Sequence, residues 1–318
     1  MSKHEKSLYA IECRKITKTF GQVLANDKID LNVKYGEILA LLGENGSGKT
    51  TLMNMLSGIY HPDSGQIFIG GREVKINSPV DAMNLGIGMI HQHFKLVEAF
   101  RAMDNIIMGT KGKKENSHTY GLEIEPEKYV CDMSVSEKQT VEILKVLYKG
   151  AEILILDEPT AVLTPQETDK LFQILRKMKE KGCAIIIITH KLQEVLEISD
   201  RVTILRKGKS IDTVETNTCD AQKLTELMVG RPVSLEINHP PVKESKTILK
   251  VVDLTVNKAD GTKAIDDISF DIRSGEILGV AGVAGSGQKE LCETIAGLME
   301  ASKGAILFHK ENLLGKTP

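Results

Sequence analysis

The stretch Gly43-Glu44-Asn45-Gly46-Ser47-Gly48-Lys49-Thr50 decides the fold of this chain. It fits the pattern G-x-x-x-x-G-K-S/T without a gap. It also lies between an apolar run, Ile38–Leu42, and a helical pattern, Thr50–Leu56, and that order makes it a phosphate-binding loop. Glycines at 43, 46 and 48 let the backbone turn sharply and aim successive N–H groups inward, while the following helix presents its positive end to the same anion. Lys49 is expected on the β- and γ-phosphates and Thr50 on Mg²⁺, with Thr51 behind them on the helix. A Gly-rich turn that merely precedes a helix is the competing reading, and it leaves the strand-loop-helix order unexplained.

Composition sets the frame. The 318 residues, 41% of them hydrophobic, can fill two domains with sizeable cores. The formal charge is −2, so nothing in the charge balance points to nucleic acid. Five cysteines with no C-x-x-C pair read as free thiols in a reducing compartment, not as a zinc site. No apolar run approaches the roughly 18 residues of a membrane span, and no signal-peptide pattern opens the chain, so a cytoplasmic location is expected.

Before the loop, Leu8–Phe20 and Ile29–Val33 read as strands. Phe20 is equally readable as a core residue or as a flat surface for a base. After it, Leu52, Met55 and Leu56 share a helical face that Gly58 ends, and Pro62–Gly65 and Gly70-Gly71 bracket a strand with Ile67 and Ile69 alternating. Antiparallel strands therefore accompany a core expected to be parallel. Ile87–Ile90 delivers His91-Gln92-His93, where two histidines without a third ligand argue against a metal site and Gln92 offers a neutral amide for Mg²⁺ or a water. Lys111–Tyr120 is polar, aperiodic and loop-like.

Farther on, Ser134-Val135-Ser136-Glu137 is a capping box opening a helix. Its serine is either only a cap or part of an anion site. Ile153–Leu156 is a buried strand running into Asp157-Glu158. A carboxylate pair ending a wholly apolar strand suits Mg²⁺ binding and water polarisation, with Glu158 re-aimed by the turn at Pro159. Thr164-Pro165-Gln166-Glu167 opens another helix, with Leu171, Leu175 and Met178 inward. Cys183–Ile188 is the next strand, and it carries Thr189-His190 to the sheet edge where ligands bind in open α/β folds.

Arg231–Thr247, with three prolines, reads as a linker, and a repeat follows it. Gly36, Gly43, Gly58 and Gly65 recur 239 positions on at Gly275, Gly282, Gly297 and Gly304. The second loop, Gly282–Lys289, carries Gln288 and Lys289 where Lys49 and Thr50 stand in the first, which predicts weaker triphosphate binding there. This copy reads as incomplete, because the sequence reaches Pro318 with no second Asp-Glu pair. Asn257-Lys258-Ala259-Asp260 spells a guanine-reading NKxD, but its position before the second loop makes it a chance match.

Taken together these residues resemble the ATP-binding cassette ATPases, specifically the tandem subunits of bacterial importers for simple sugars and nucleosides. The resemblance covers Leu8 to Pro318. It implies an α/β P-loop fold with a mainly parallel core sheet, an antiparallel β subdomain and a helical subdomain, in residues 1–230. A linker over 231–247 and the start of a second copy over 248–318 would follow. Phe20 matches the adenine-stacking aromatic and Gly43, Glu44, Asn45, Gly46, Ser47, Gly48, Lys49 and Thr50 the phosphate loop. Gln92 matches the Q-loop residue, Ser134, Val135, Ser136 and Glu137 fall in the signature, and His190 matches the switch histidine. Asp157 with Thr50 and Gln92 would hold Mg²⁺, and Glu158 would be the catalytic carboxylate. The implied activity is ATP hydrolysis at the cytoplasmic face of a membrane, coupled through a permease to a solute-binding protein, with a second cassette or a second copy completing the site. A ribosome- or DNA-associated cassette protein is the alternative. Two departures stand out. Glu137 brings a negative charge to the signature, and the polar Lys111–Tyr120 reads as a shortened helical region, which weakens the case for a permease.

Overall fold

The structure is a computed structural model and describes residues 8–92, 94–109, 124–232, 246–258, 261–282 and 285–316. The segment Lys111–Tyr120, His93 and most of the proline-rich linker lie outside these. The chain forms two compact units, Met1–Leu235 and Glu236–Pro318.

In the first unit, β1 (Tyr9–Phe20), β2 (Val23–Lys34), β4 (Ser64–Ile69) and β5 (Arg72–Val74) make an antiparallel sheet in the order β2-β1-β4-β5. The second strand starts earlier than its apolar residues announce, because β1 and β2 form one hairpin closed at Phe20 and Val23. A second sheet takes β3 (Ile38–Leu42), β6 (Ile87–Ile90), β7 (Ile153–Asp157), β8 (Ala184–Ile188), β9 (Arg201–Arg206) and β10 (Lys209–Glu215) in the order β10-β9-β3-β8-β7-β6. All neighbours in it are parallel except β10 on β9.

The period of two in these strands explains the layers. Leu39, Leu41, Ile155 and Ile186 point to one face, where they meet Ile11, Ile16 and Leu31 of the antiparallel sheet and Leu52, Met55 and Leu56 of α1 (Lys49–Leu56). Ile38, Leu154, Leu156, Ile185 and Ile187 point to the other, onto Val141 and Leu144 of α4 (Val135–Tyr148) and Phe172, Leu175 and Met178 of α5 (Pro165–Glu180). Every one of these side chains is buried, and each contributes about 1.5–3 kcal/mol by leaving water. The remaining helices are α2 (Pro79–Asn84), α3 (Ala102–Ile107), α6 (Leu192–Ile198) and α7 (Ala221–Val229). Those of β9, β10, α6 and α7 carry the first unit beyond the last motif legible in the sequence.

The second unit repeats the first in miniature. Its β11 (Thr247–Asn257), β12 (Lys263–Arg273), β13 (Lys303–Phe308) and β14 (Glu311–Asn312) form a sheet in the order β12-β11-β13-β14, with α8 (Gln288–Ile295) following its loop. The match descends to single residues. Gly48, at φ +97°, abuts the Ala25 carbonyl, and Gly287, at φ +92°, abuts that of Ala264. Ile16 pairs with Ile29, and Leu254 with Ile268, so the hairpin of the second copy holds one more residue between these paired positions than that of the first. The presence of α8 means that this unit is more than a β subdomain. One element differs in kind: Ile277–Val280, the counterpart of buried β3, is not a strand, and Ile277 is 88% exposed. In the first unit β3 gains its hydrogen bonds from β8 and β9, and no such strands occur in the described residues of the second.

Gly88 of β6 marks a tight helix-sheet contact, because a Cβ there would overlap Cγ1 of Val146. A Gly88→Ala substitution should therefore cost about 1–3 kcal/mol in urea unfolding. Adding Val146→Ala should recover part of that loss, and additive losses in the pair would show that the two sites do not touch.

Candidate functional site

Parallel pairing brings the candidate residues to one sheet edge. Leu41 is level with Ile188, and Ile188 with Asp157, so the loop after β3, the turn after β8 and the end of β7 emerge side by side. Ile90 is level with Leu156, which sets Gln92, exposed just past β6, two residues beyond that pair, as is Glu158.

Within the loop Lys49 is nearly buried and donates to the carbonyls of Gly43 at 2.7 Å and Glu44 at 2.9 Å. Burial pushes its ammonium below the ordinary lysine range, while the carboxylates of Glu158 and Asp157 pull it back up. Loop shape demands the glycines. A Cβ on Gly43 would collide with the Leu205 carbonyl and one on Gly48 with that of Ala25, whereas Gly46, at φ +79°, faces open space. Asn26, wholly buried on β2, donates to the Gly48 carbonyl at 3.2 Å and so fastens the antiparallel sheet to the loop. The first-turn amides of α1 have no partners within their own helix and open toward the same space.

Asp157 and Glu158 face one another's charge at the end of β7. Burial raises the Asp157 pKa, Glu158 raises it further and Lys49 lowers it. Glu158 turns at its own residue, with φ at +46°, and not first at Pro159 as the sequence suggests. That left-handed conformation costs a non-glycine residue about 1–3 kcal/mol, a strain that collects at functional sites. The turn brings its Oε1 to 2.9 Å from His190 Nδ1, so the histidine after β8 holds the carboxylate after β7.

Phe20 is 42% exposed and therefore not a core residue; Tyr60 meets its ring edge-on with centroids 5.1 Å apart, and Lys18 lies over it at 5.5 Å. Ser134 caps α4, accepting from the Glu137 amide at 3.2 Å while Glu137 accepts from the Ser134 amide at 2.8 Å. The negative charge that Glu137 brings to the signature is paired. Lys128 binds it at 2.7 Å and holds its carboxyl below the usual range, with the Ser134 amide adding to the effect. At the second loop Gln288 donates to the Val280 carbonyl at 3.2 Å, and the ammonium of Lys289 is paired with Glu293 at 3.7 Å, its side chain 80% exposed.

The oxygen set of Thr50, Asp157 and Gln92 fits Mg²⁺, a hard cation that binds through few protein oxygens alongside substrate phosphates. No cluster of three or more His, Cys, Asp or Glu residues able to cage a metal occurs among the described residues. Sequence reading missed Lys128, Tyr60, Asn26 and a buried Gln139 on α4. The last had a signal, a polar residue on the apolar face that Ile143 continues.

A phosphate loop, a carboxylate pair and a histidine on one parallel edge, beside an antiparallel sheet and a capped helical region, define a P-loop nucleotide-binding cassette. The family model described as ABC transporter matches residues 26–161 and 265–317, more than half of the sequence, and the chain belongs to that family. It is 48% identical over 317 residues to the nucleoside import ATP-binding protein NupA of Lactococcus lactis, covering 95% of this chain and 63% of that protein. With the guanosine import ATP-binding protein NupO of Bacillus subtilis it shares 46% over 324 residues, 98% of this chain and 64% of the other. The chain thus spans less than two thirds of the length of these relatives. Among solved structures, an ATP-binding cassette of an ABC transporter in its ADP conformation superposes with a TM-score of 0.63 at 22% identity, over 71% of this chain and 100% of the other, a likeness of fold.

The raised Asp157 pKa means that its charge destabilises the nucleotide-free fold at pH above that pKa and that the penalty fades as pH falls through it. Asp157→Asn should raise the Tm by about 2 °C at pH 8, with a smaller gain at pH 5, and should lose the stabilisation that Mg-ATP gives the parent. Thermal melts at both pH values, with and without Mg-ATP, check this.

Proposed function

We propose that this chain is an ATP-hydrolysing subunit of a membrane importer for a nucleoside or simple sugar. The observation that carries the reading is the alignment of Lys49, Asp157, Glu158 and His190 at one sheet edge, with Glu158 bonded to His190 at 2.9 Å. The triphosphate lies along residues 43–51, where the loop amides and the end of α1 meet it and Lys49 exchanges the Gly43 and Glu44 carbonyls for phosphate oxygens. Phe20, steadied by Tyr60, stacks on the adenine. Thr50, Asp157 and Gln92 would hold Mg²⁺, which would supply positive charge against the phosphates. Nδ1 of His190 donates to Oε1 of Glu158, which leaves Oε2 to accept a proton from the attacking water.

The family likeness also favours a composite site. Ser134 and the amides at the start of α4 would be offered to a triphosphate on another cassette, closing its cage only on association. With Lys128 neutralising Glu137, this helix end accepts an anion more readily than its sequence alone suggests. We assign residues 1–230 to a first cassette, 231–247 to a linker and 248–318 to the beginning of a second. The repeated sheet order, the second stretch of the family match and the greater length of the relatives support this division. Loss of the buried ammonium at Gln288 makes the second loop the weaker one. For the permease we assign the apolar patch of Val97, Phe100, Ile107, Met108 and Tyr129, each between 39% and 45% exposed. None of the helices among the described residues is long and apolar enough to cross a membrane, and the permease of this proposal would hold the chain at the cytoplasmic face of the bilayer.

Glu158→Gln should retain ATP affinity within about twofold and lose 100-fold or more in turnover, the range of a general base. Unchanged turnover in a steady-state phosphate-release assay would remove Glu158 from the mechanism. Because the site needs a second helix end, specific activity should rise with protein concentration, and a flat dependence would defeat the composite site.

A further inference from the structure

The left-handed turn at Glu158 lasts only if neighbouring groups fix the chain on both sides of it. On one side the Glu158 amide donates to the Ile188 carbonyl at 2.9 Å. On the other, the Thr160 hydroxyl donates to Glu194 Oε2 at 2.6 Å, and the ammonium of Lys191 donates to the Thr160 carbonyl at 3.0 Å. Between them stands Pro159, which has no N–H and offers only its carbonyl. That carbonyl is taken by Gln139, whose Nε2 donates to it at 2.8 Å. Gln139 is 3% exposed, in the second turn of α4, the helix that Ser134 caps. A buried amide on an apolar helix face is costly unless bonded, and this one bonds the main chain next to Glu158 instead of its own helix.

We infer that Gln139 is a positioning residue for Glu158, tying the capped end of α4 to the Glu158-Pro159 main chain and holding the carboxylate at His190. The inference rests on the reading of Glu158 given above. A consequence is mechanical: whatever engages the end of α4 pulls on the turn that aims the carboxylate. Removing the donor while keeping the volume lets the turn relax, and a displacement of this kind lowers the chemical step more than nucleotide binding.

The test uses the full chain carrying Gln139→Met, an isostere without the donor, and separately Gln139→Asn, which keeps the amide but stops short of Pro159. Hydrogen exchange is followed in peptides covering 157–163, which include the Glu158 amide and the Ala161 amide bonded to the Glu158 carbonyl at 3.2 Å. Both variants should exchange there at least about tenfold faster, with Tm within a few degrees of the parent. Their kcat should fall about tenfold while the KM for ATP stays within about twofold. Unchanged exchange in either folded variant overturns the tether. Faster exchange with unchanged kcat, when Glu158→Gln abolishes turnover, overturns the positioning role while leaving Glu158 in place. If Glu158→Gln itself leaves turnover unchanged, the reading of Glu158 falls and this inference falls with it.

Discussion

One hydrogen bond lies under the whole site, that from the Glu158 amide to the Ile188 carbonyl at 2.9 Å. It extends the β7–β8 ladder one step past Asp157, to the point where the strand must already turn. The bond lets a residue with a left-handed backbone stay attached to the sheet, so that Asp157 and Glu158 share a strand end yet aim differently. Strict alternation would have sent neighbouring side chains to opposite faces of the sheet. The departure from it brings Glu158 to His190, and the buried isoleucines of β8 make the arrangement stiff.

Stiffness in the centre contrasts with the way charge is handled around it. Lys49, Asp157 and Glu158 form a mutually dependent set: burial works against the charge on the lysine and on Asp157, and their mutual attraction offsets part of that cost. Part of that burial cost stays uncompensated in the fold, and the magnesium-bound polyanion proposed for this site would offset it. The second loop has the same glycine geometry at Gly287 but an amide in place of the ammonium.

Much of this was legible in the sequence, and the limits follow from physics. Apolar strands with no polar interruption, such as Ile153–Leu156, and capping boxes such as Thr164–Glu167 announce themselves locally, and both occur where read. So do the glycines that must turn. The misreadings concern long-range partners. Lys128 meets Glu137 across a segment with no periodic signal, and the bend at Glu158 depends on β8 and α4, not on Pro159 alone. Phe20 was undecidable because a strand end is buried or exposed according to what packs on it, here the edge of Tyr60. Ile277–Val280 has the residues of a strand, and no strand among the described residues pairs with it.

That last contrast bears on how the polypeptide is made. In the first unit β3 precedes both strands that flank it, and Ala184–Ile188 and Arg201–Arg206 are translated only after the helices between have emerged. Until then its unpaired N–H and C=O groups, flanked by apolar side chains, are an open template for any extended segment, from this molecule or from a neighbouring one. The local hairpins β1–β2 and β11–β12 close at once, whereas the central sheet must await distant chain, a topology that folds slowly.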